Sequence, residues 1–203
     1  ERLRDGRSFC TRQVVARQSG GAILNVSVSF QVDEDEADAQ IVTLPEGLAL
    51  PDDPTLENYS WGNLIDRRAV DLQGQDGEPW RLGYWLRIID EDGALLGDDP
   101  IKHTLAMAFL SDAAPSRAAR SPHPDFANDT SDRFKFQGAS LDHSVWFHRP
   151  CRADQWHWFD TRSHGLSGGR GLVTGDVLNL DGTHVATIAQ EVLLRRRQAS
   201  TAH

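Results

Sequence analysis

Apolar and polar side chains alternate strictly near the start of the chain, which is the periodicity of a β-strand with one buried face. In residues 24–32, an apolar residue stands at every second position, with asparagine, serine or glutamine between. Ser19–Gly21 supplies a turn just before this segment. The pattern therefore predicts a β-hairpin whose partner strand covers residues 7–18.

An acidic, loop-forming segment follows the hairpin. Residues 33–66 begin with DEDEADAQ and continue with LPEGLALPDDPT, which is rich in proline, glycine and aspartate. Such a composition favours a solvated connector, and an acidic docking surface is the alternative. We therefore divide the chain into residues 1–32, a linker at 33–66, and a second folding unit at 67–203.

Most of the second unit shows the pattern of β-strands. Period-two alternation with turn signals predicts strands at 69–73, 79–89, 139–148, 155–164, 170–180 and 184–195. A segment rich in proline, alanine, aspartate and serine at 113–133 predicts a loop. One helix among many strands indicates an α+β fold in which an antiparallel sheet wraps that helix.

The single predicted helix begins near Asp99. That residue can cap the helix, Pro100 suits the first helical position, and no strand-like alternation follows in DDPIKHTLAMAFLSD. Ile101, Leu105 and Phe109 recur at helical spacing, and the rest of the segment is also largely apolar. The pattern predicts a helix that is buried on most sides.

Two polar residues interrupt these apolar rows. Asp112 falls on the same helical stripe as Ile101, where burial and the helix C-terminus both disfavour a carboxylate. Gln190 shares a strand face with Ile188 and Val192, which predicts a core-facing amide. Each residue has a structural explanation, as an exposed helix end or a satisfied core amide, and each also suits a catalytic site.

Composition narrows the range of functions. The formal net charge of −9 argues against a general nucleic-acid binder, because neutralising phosphates needs an excess of lysine and arginine. The two cysteines are far apart and no histidine spacing fits a metal site, so we expect neither a disulfide framework nor a metal. No apolar run reaches about 18 residues, and the first residues do not make a signal peptide. We therefore expect a cytoplasmic protein without a membrane span.

Two short motifs imitate hydrolase sites. The stretch HGLSGGRG at 164–171 fits the G-x-S-x-G pattern of a nucleophile elbow, but a strand rather than a helix is predicted after Ser167. Asp142, His143 and Ser144 are consecutive, and consecutive side chains on a strand point to opposite faces. A triad needs its histidine to bridge the other two residues, so the sequence favours neither serine as a nucleophile.

Longer stretches carry a family resemblance. Similarity to the C-terminal half of the acyl-CoA thioesterase II family, the double hot-dog thioesterases, rests on SLDHSVWFHRP, Trp156 and GGRGLVTGDVLNLDGTHVATIAQEVLLR. The second part of that family's first hot-dog unit resembles LRDGRSFCTRQVVARQSGGAILNVSVSFQ. The resemblance covers most of the chain and is weakest in the connector and around 113–133.

The resemblance implies a fold, an activity and a site. The fold is a double hot-dog whose first unit, in this chain, lacks its N-terminal part. The activity is hydrolysis of fatty acyl-CoA to a free acid and CoA by a homo-oligomer, without a cofactor. The family's aspartate, its serine or threonine, and its glutamine correspond to Asp112, Ser140 and Gln190, which would hold and activate the attacking water.

Two other functions stay open. A non-catalytic acyl-CoA-binding or assembly module would keep the family's contacts around an incomplete hot-dog unit. A hot-dog hydratase would act on enoyl-CoA, but such sites usually rest on a histidine and an aspartate, whereas the matched positions hold aspartate, serine and glutamine. Thioester hydrolysis is the favoured hypothesis, with acyl-CoA as the partner and neither nucleic acid nor membrane.

Ser167→Ala should leave most of the thioester hydrolysis intact, because the strand–turn–helix context of an elbow is not predicted around this serine. Steady-state release of CoA from an acyl-CoA measures the effect. A loss of more than about tenfold would restore Ser167 as a candidate nucleophile.

Overall fold

Strands make up most of the computed structural model, which describes residues 1–59, 61–70, 72, 80–125 and 136–197. The strands are β1 (Arg2–Asp5), β2 (Phe9–Gln18), β3 (Gly21–Gln31), β4 (Glu57–Asn58), β5 (Ile65–Val70), β6 (Arg81–Ile88), β7 (Phe136–Ser140), β8 (Ser144–Phe147), β9 (His157–Ser167), β10 (Arg170–Asn179) and β11 (His184–Arg196). The helices are α1 (Pro100–Asp112) and α2 (Pro115–Arg120). The chain divides into two compact units, Glu1–Ala39 and Gln40–His203. The boundaries expected from composition, after residues 32 and 66, stay a prediction.

The first unit is a three-stranded antiparallel sheet in the order β1-β2-β3. Its β2–β3 hairpin, in which Phe9 pairs with Gln31, confirms the hairpin predicted from alternation. The predicted buried face is wrong, because Leu24 and Phe30 are 56% and 53% exposed. A sheet face is buried by a second layer, and the described residues of this unit contain no helix that supplies one.

The second unit is an antiparallel sheet with α1 packed against one face, as predicted. Its strand order is β4-β5-β6-β9-β10-β11-β7, and β8 also pairs with β11. Met107 and Leu110 of α1 share a core with Phe159, Val177 and Ile188 of the sheet, and each of these side chains is buried. Burial of one such side chain contributes roughly 1.5–3 kcal/mol, so this layer fixes the helix on the sheet.

Helix α1 begins as predicted, but its buried side is not the predicted one. Asp99 caps the helix by accepting hydrogen bonds from two backbone nitrogens, and Pro100 occupies the first turn. Ile101, Leu105 and Phe109 are 69%, 65% and 48% exposed, so the expectation of burial on most sides is wrong. The sheet covers only the opposite face of this helix. That buried face carries His103, Met107, Leu110 and Ser111.

A short helix replaces part of the loop predicted at 113–133. Helix α2 spans Pro115–Arg120 and packs Ala118 and Ala119 against side chains of β10 and β11. The prediction of a loop is wrong for this segment because tertiary packing of two small side chains overrides a loop-like composition. Residues 126–133 of the predicted loop lie outside the described residues.

Part of the predicted linker covers the other face of the sheet. Trp85 of β6 and Trp158 of β9 contact each other there, with ring centroids 5.4 Å apart. Trp85 Nε1 donates to the backbone oxygen of Ala49 at 2.8 Å, which ties the segment to the sheet. The apolar side chains of this segment that pack against the buried cluster containing the two indoles are Val42, Leu44, Leu48 and Leu56. The sheet therefore has an apolar layer on each side.

The strand predicted at 139–148 is two strands that pair with different parts of β11. Ser140 of β7 lies opposite Val192, and Ser144 of β8 lies opposite Ala189. Ser144 follows Ser140 by four residues, whereas their partners on β11 are only three residues apart. The edge of the sheet therefore has one extra residue between β7 and β8. Side chains alternate between faces along a strand, and the added residue therefore places Ser140 and His143 on the same face.

Gly83→Ala should lower the free energy of unfolding by about 2–3 kcal/mol, because the added methyl group overpacks the layer around the two tryptophans. A Cβ at Gly83 would lie 1.9 and 2.3 Å from two ring atoms of Trp158, which is fully buried. Urea unfolding measures the change. Gly20→Ala is the control, since a Cβ there meets nothing within 4 Å. Equal stability of the two variants would contradict the packing at Gly83.

Candidate active site

Three polar side chains from three elements meet at the end of α1. Asp112 is the last residue of α1, Ser140 is the last residue of β7, and Gln190 lies in the middle of β11. Gln190 Nε2 donates to Asp112 Oδ1 at 2.8 Å, and Ser140 Oγ donates to the same oxygen at 3.2 Å. Gln190 Nε2 also donates to Ser140 Oγ. The structure thus brings together the three residues selected from the sequence.

Exposure differs between these residues. Gln190 is fully buried, as its place in an apolar row predicts, whereas Asp112 and Ser140 are exposed. The expectation that Asp112 lies in a buried stripe is wrong, because the sheet packs on the other side of α1. The two donors at Oδ1 offset the unfavourable end of the helix dipole. Both donors reach Oδ1, so Oδ2 keeps lone pairs that can bind a water molecule.

His143 and Ser111 complete the cluster, and neither was predicted as a site residue. His143 Nδ1 lies 3.0 Å from Gln190 Oε1, and His143 Nε2 lies 2.7 Å from Ser111 Oγ. Ser111 is fully buried. Its hydroxyl in an otherwise apolar helical run, one residue before Asp112, was a signal that the sequence offered.

Asp142 has a structural role beside the cluster. Its Oδ1 accepts a hydrogen bond from the backbone nitrogen of Glu191 at 2.8 Å, and the Leu141 nitrogen donates to the Glu191 oxygen at 2.9 Å. The carboxylate replaces a strand carbonyl at the point where the edge of the sheet is interrupted. His143 bonds to residues of α1 and β11, so it forms no triad with its chain neighbours.

Ser167 stands before a tight hairpin turn. It ends β9, Gly168 and Gly169 follow with φ of 56° and 75°, and β10 begins at Arg170. Positive φ at two successive positions is readily adopted by glycine, which explains the G-G pair. The strand predicted after Ser167 is confirmed, and the strand–turn–helix context of a nucleophile elbow does not form here.

A cavity of about 910 Å³ lies on the other face of the sheet. Segment 42–46 and outward-facing residues of β6, β9 and β10 line it. Arg81 and Asp160 form a buried ion pair at its wall, with Arg81 Nε 2.8 Å from Asp160 Oδ1. The Asp112 cluster lies on the face that packs against α1, so this cavity is separate from the candidate active site.

Neither a cluster of metal-binding side chains nor a membrane-spanning helix occurs in the described ranges. Within them, no group of three or more histidine, cysteine, aspartate and glutamate side chains is placed to hold a metal ion. No helix in the same part of the chain is both long and apolar enough to cross a membrane.

Comparison with known proteins assigns the family. A family model described as the acyl-CoA thioesterase C-terminal domain matches residues 43–194, three quarters of the chain. The chain belongs to the acyl-CoA thioesterase family. This confirms the resemblance found in the sequence, and the matched range contains Asp112, Ser140 and Gln190.

Named relatives match nearly the whole chain. Acyl-coenzyme A thioesterase 8 from Rattus norvegicus is 35% identical, over 97% of this chain and 67% of the relative. Acyl-CoA thioesterase 2 from Haemophilus influenzae is 29% identical, over 96% of this chain and 72% of the relative. The chain therefore spans about two thirds of the length of the curated thioesterase that it matches at 35% identity.

Two solved structures share the fold of this chain. The acyl-CoA thioesterase II TesB2 from Mycobacterium marinum superposes with a TM-score of 0.82 at 34% identity, covering 98% of this chain and 73% of that one. A hot-dog protein from Alicyclobacillus acidocaldarius superposes with a TM-score of 0.69 at 15% identity, covering 97% and 71%. The second likeness concerns the fold alone. The predicted hot-dog fold is confirmed.

Gln190→Glu should make the stability of this thioesterase depend on pH. The change replaces Nε2, which lies 2.8 Å from Asp112 Oδ1, with an oxygen, so two carboxyl groups face each other. Like charges disfavour joint ionisation and raise the pKa of the pair above that of unfolded glutamate. Stability should therefore be kept at low pH and lost as the pH rises through the raised pKa, by about 3 kcal/mol at pH 8.

Urea unfolding at about pH 5 and pH 8 measures this effect. Gln190→Met is the matched control, because it has a similar volume without charge and should be destabilised equally at both pH values. If Gln190→Glu lost no more stability at the higher pH than the methionine variant, the contact between Gln190 and Asp112 would be wrong.

Proposed function

We propose that the protein hydrolyses fatty acyl-CoA thioesters to a free acid and CoA. The observation that carries this proposal is the exposed carboxylate of Asp112, whose Oδ1 accepts hydrogen bonds from Gln190 and Ser140. This arrangement fixes the orientation of the carboxylate and leaves Asp112 Oδ2 available to a water molecule. Relatives named acyl-CoA thioesterases support the same chemistry.

In the proposed reaction, Asp112 is the general base. It takes a proton from a water molecule, the water oxygen forms a bond to the thioester carbonyl carbon, and the π electron pair of the carbonyl moves onto its oxygen. The tetrahedral intermediate then collapses, the carbon–sulfur bond breaks, and the electron pair leaves on the sulfur of CoA. The proton held by Asp112 returns to the sulfur or to solvent, and the products are the acid and the thiol. No acyl-enzyme forms.

Gln190 and Ser140 contribute by positioning. Both donate to one carboxylate oxygen of Asp112, so the carboxylate cannot rotate freely at the end of the helix. A base held in its reactive orientation avoids the entropic cost of being ordered during the reaction. Both donors are neutral, so they orient the carboxylate without the strong stabilisation of its charge that a cation would give.

We further propose that the protein acts as a homo-oligomer in the cytoplasm. Ile101, Leu105 and Phe109 of α1 form an exposed apolar stripe, and association would remove such a surface from water. Cys10 and Cys151 are free thiols, which suits a reducing compartment.

Asp112→Asn should lower kcat by about 10² or more, because a carboxamide cannot accept the proton of the attacking water. The measurement is CoA release detected with Ellman's reagent, over a series of straight-chain acyl-CoA thioesters. Burial raises the pKa of the Cys151 thiol to about 11, so this cysteine contributes little background near neutral pH.

Asp52→Asn is the matched control, since Asp52 is an exposed carboxylate in a different part of the chain. It should leave kcat unchanged. Near-normal hydrolysis by Asp112→Asn would contradict the proposal that Asp112 is the general base. Binding of acyl-CoA by the wild-type protein without release of CoA would favour the non-catalytic binding module instead.

A further inference from the structure

We propose that His143 is a positioning residue, whose Nδ1–H holds the Gln190 amide with Nε2 turned toward Asp112 and Ser140. The inference deepens the proposed thioester hydrolysis and rests on it. His143 bonds to Gln190 and Ser111 rather than to Asp112, so it acts on the base only through the amide.

A side-chain amide is nearly symmetric in shape. Its oxygen and nitrogen are similar in size, so packing alone does not select one orientation. Gln190 is fully buried, and each of its polar atoms therefore needs a protein partner. In the reversed orientation, Oε1 would face Asp112 Oδ1, and two acceptors would meet at a separation of 2.8 Å. In the observed orientation, Oε1 needs a donor on its other side, and His143 Nδ1 lies there at 3.0 Å.

The protonation of His143 follows from its two contacts. Gln190 Oε1 can only accept, so Nδ1 carries a hydrogen. At the other end, Ser111 Oγ has one hydrogen and lies 2.7 Å from both His143 Nε2 and the Ala108 oxygen. If that hydrogen points to Nε2, Nε2 accepts it, and if it points to the Ala108 oxygen, Nε2 donates to Ser111 Oγ. Nδ1 is protonated in both arrangements.

The two partners of the imidazole ring are both buried. Ser111 is fully buried on α1, and Gln190 is fully buried on β11, so the ring of His143 bridges the helix and the sheet. The residue added to the edge between β7 and β8 is what lets His143 reach this position on the same face as Ser140. Loss of the ring would leave Gln190 Oε1 without its hydrogen-bond donor. The side-chain amide could then rotate away from its observed orientation.

The first experiment compares His143→Asn with His143→Leu. Asparagine places an amide nitrogen where Nδ1 lies, whereas leucine has the same branched shape and no donor. We expect His143→Leu to lower kcat by about tenfold to a hundredfold with KM within about threefold, and His143→Asn to recover most of kcat. Equal losses of kcat in the two variants, or a loss confined to KM, would overturn the proposal.

Ser111→Ala supplies a second, independent measurement. In the wild-type background it removes the partner of Nε2, and kcat should fall by about threefold to tenfold. In the His143→Asn background no Nε2 exists, so the same change should have little further effect. Equal effects of Ser111→Ala in both backgrounds would show a merely structural role and would overturn the proposal.

A spectroscopic readout separates this inference from the proposed function. Nitrogen-15 NMR of the histidine rings, with His143→Asn identifying the signal, reports whether Nδ1 carries a hydrogen. A bare Nδ1 would overturn the role of His143 even in an active hydrolase. A protonated Nδ1 in a protein that hydrolyses no acyl-CoA would support the contact to Gln190 and contradict only the proposed hydrolysis.

Discussion

The buried amide of Gln190 is the constraint on which the candidate site depends. A polar group without a partner in a protein interior costs about 1–3 kcal/mol, and Gln190 stands in the apolar row of β11 with no exposed surface. Its nitrogen donates to Asp112 and Ser140, and its oxygen lies 3.0 Å from His143 Nδ1. Side chains from α1, from β7 and from the connection between β7 and β8 must therefore all reach this amide. Their convergence defines the site.

The sheet meets that requirement with a one-residue change of register. A continuous edge strand would turn Ser140 and His143 to opposite faces, because three steps separate them. Because of the extra residue between β7 and β8, Ser140 and His143 instead lie on the same face of the sheet, which is the face of Gln190. The Asp142 carboxylate accepts from the Glu191 nitrogen that the interrupted edge would otherwise leave unpaired. Bulges of this kind commonly redirect side chains beside functional sites.

Much of the fold could be predicted from local patterns. The hairpin turn before Gly21, the cap at Asp99 and the strands β6, β9, β10 and β11 could be predicted from patterns of neighbouring residues, and the structure confirms them. The buried side of α1 could not be predicted in this way. Every side of that segment is largely apolar, so periodicity does not say which stripe faces the sheet, and the exposed one carries Ile101 and Leu105.

The site was only partly visible in the sequence for a similar reason. Gln190 breaks a strict alternation and could be recognised as a polar residue in a core row. His143 sits in a strand-like run, and an uninterrupted strand would turn its side chain to the face opposite Ser140. The register of β7 and β8 against β11 is a long-range property, and only the pairing of these strands reveals it.

The exposure of Asp112 completes the physical picture of the site. A buried carboxylate at a helix C-terminus would face both desolvation and the negative end of the dipole. At the surface, the first cost is largely absent, and the donors at Oδ1 offset the second. Rigidity then comes from the buried members of the cluster, Gln190 and Ser111, while the proposed reacting group stays in contact with water. Direct attack by water requires a base that is both accessible to solvent and held in one orientation, and the buried residues of this cluster supply the second condition.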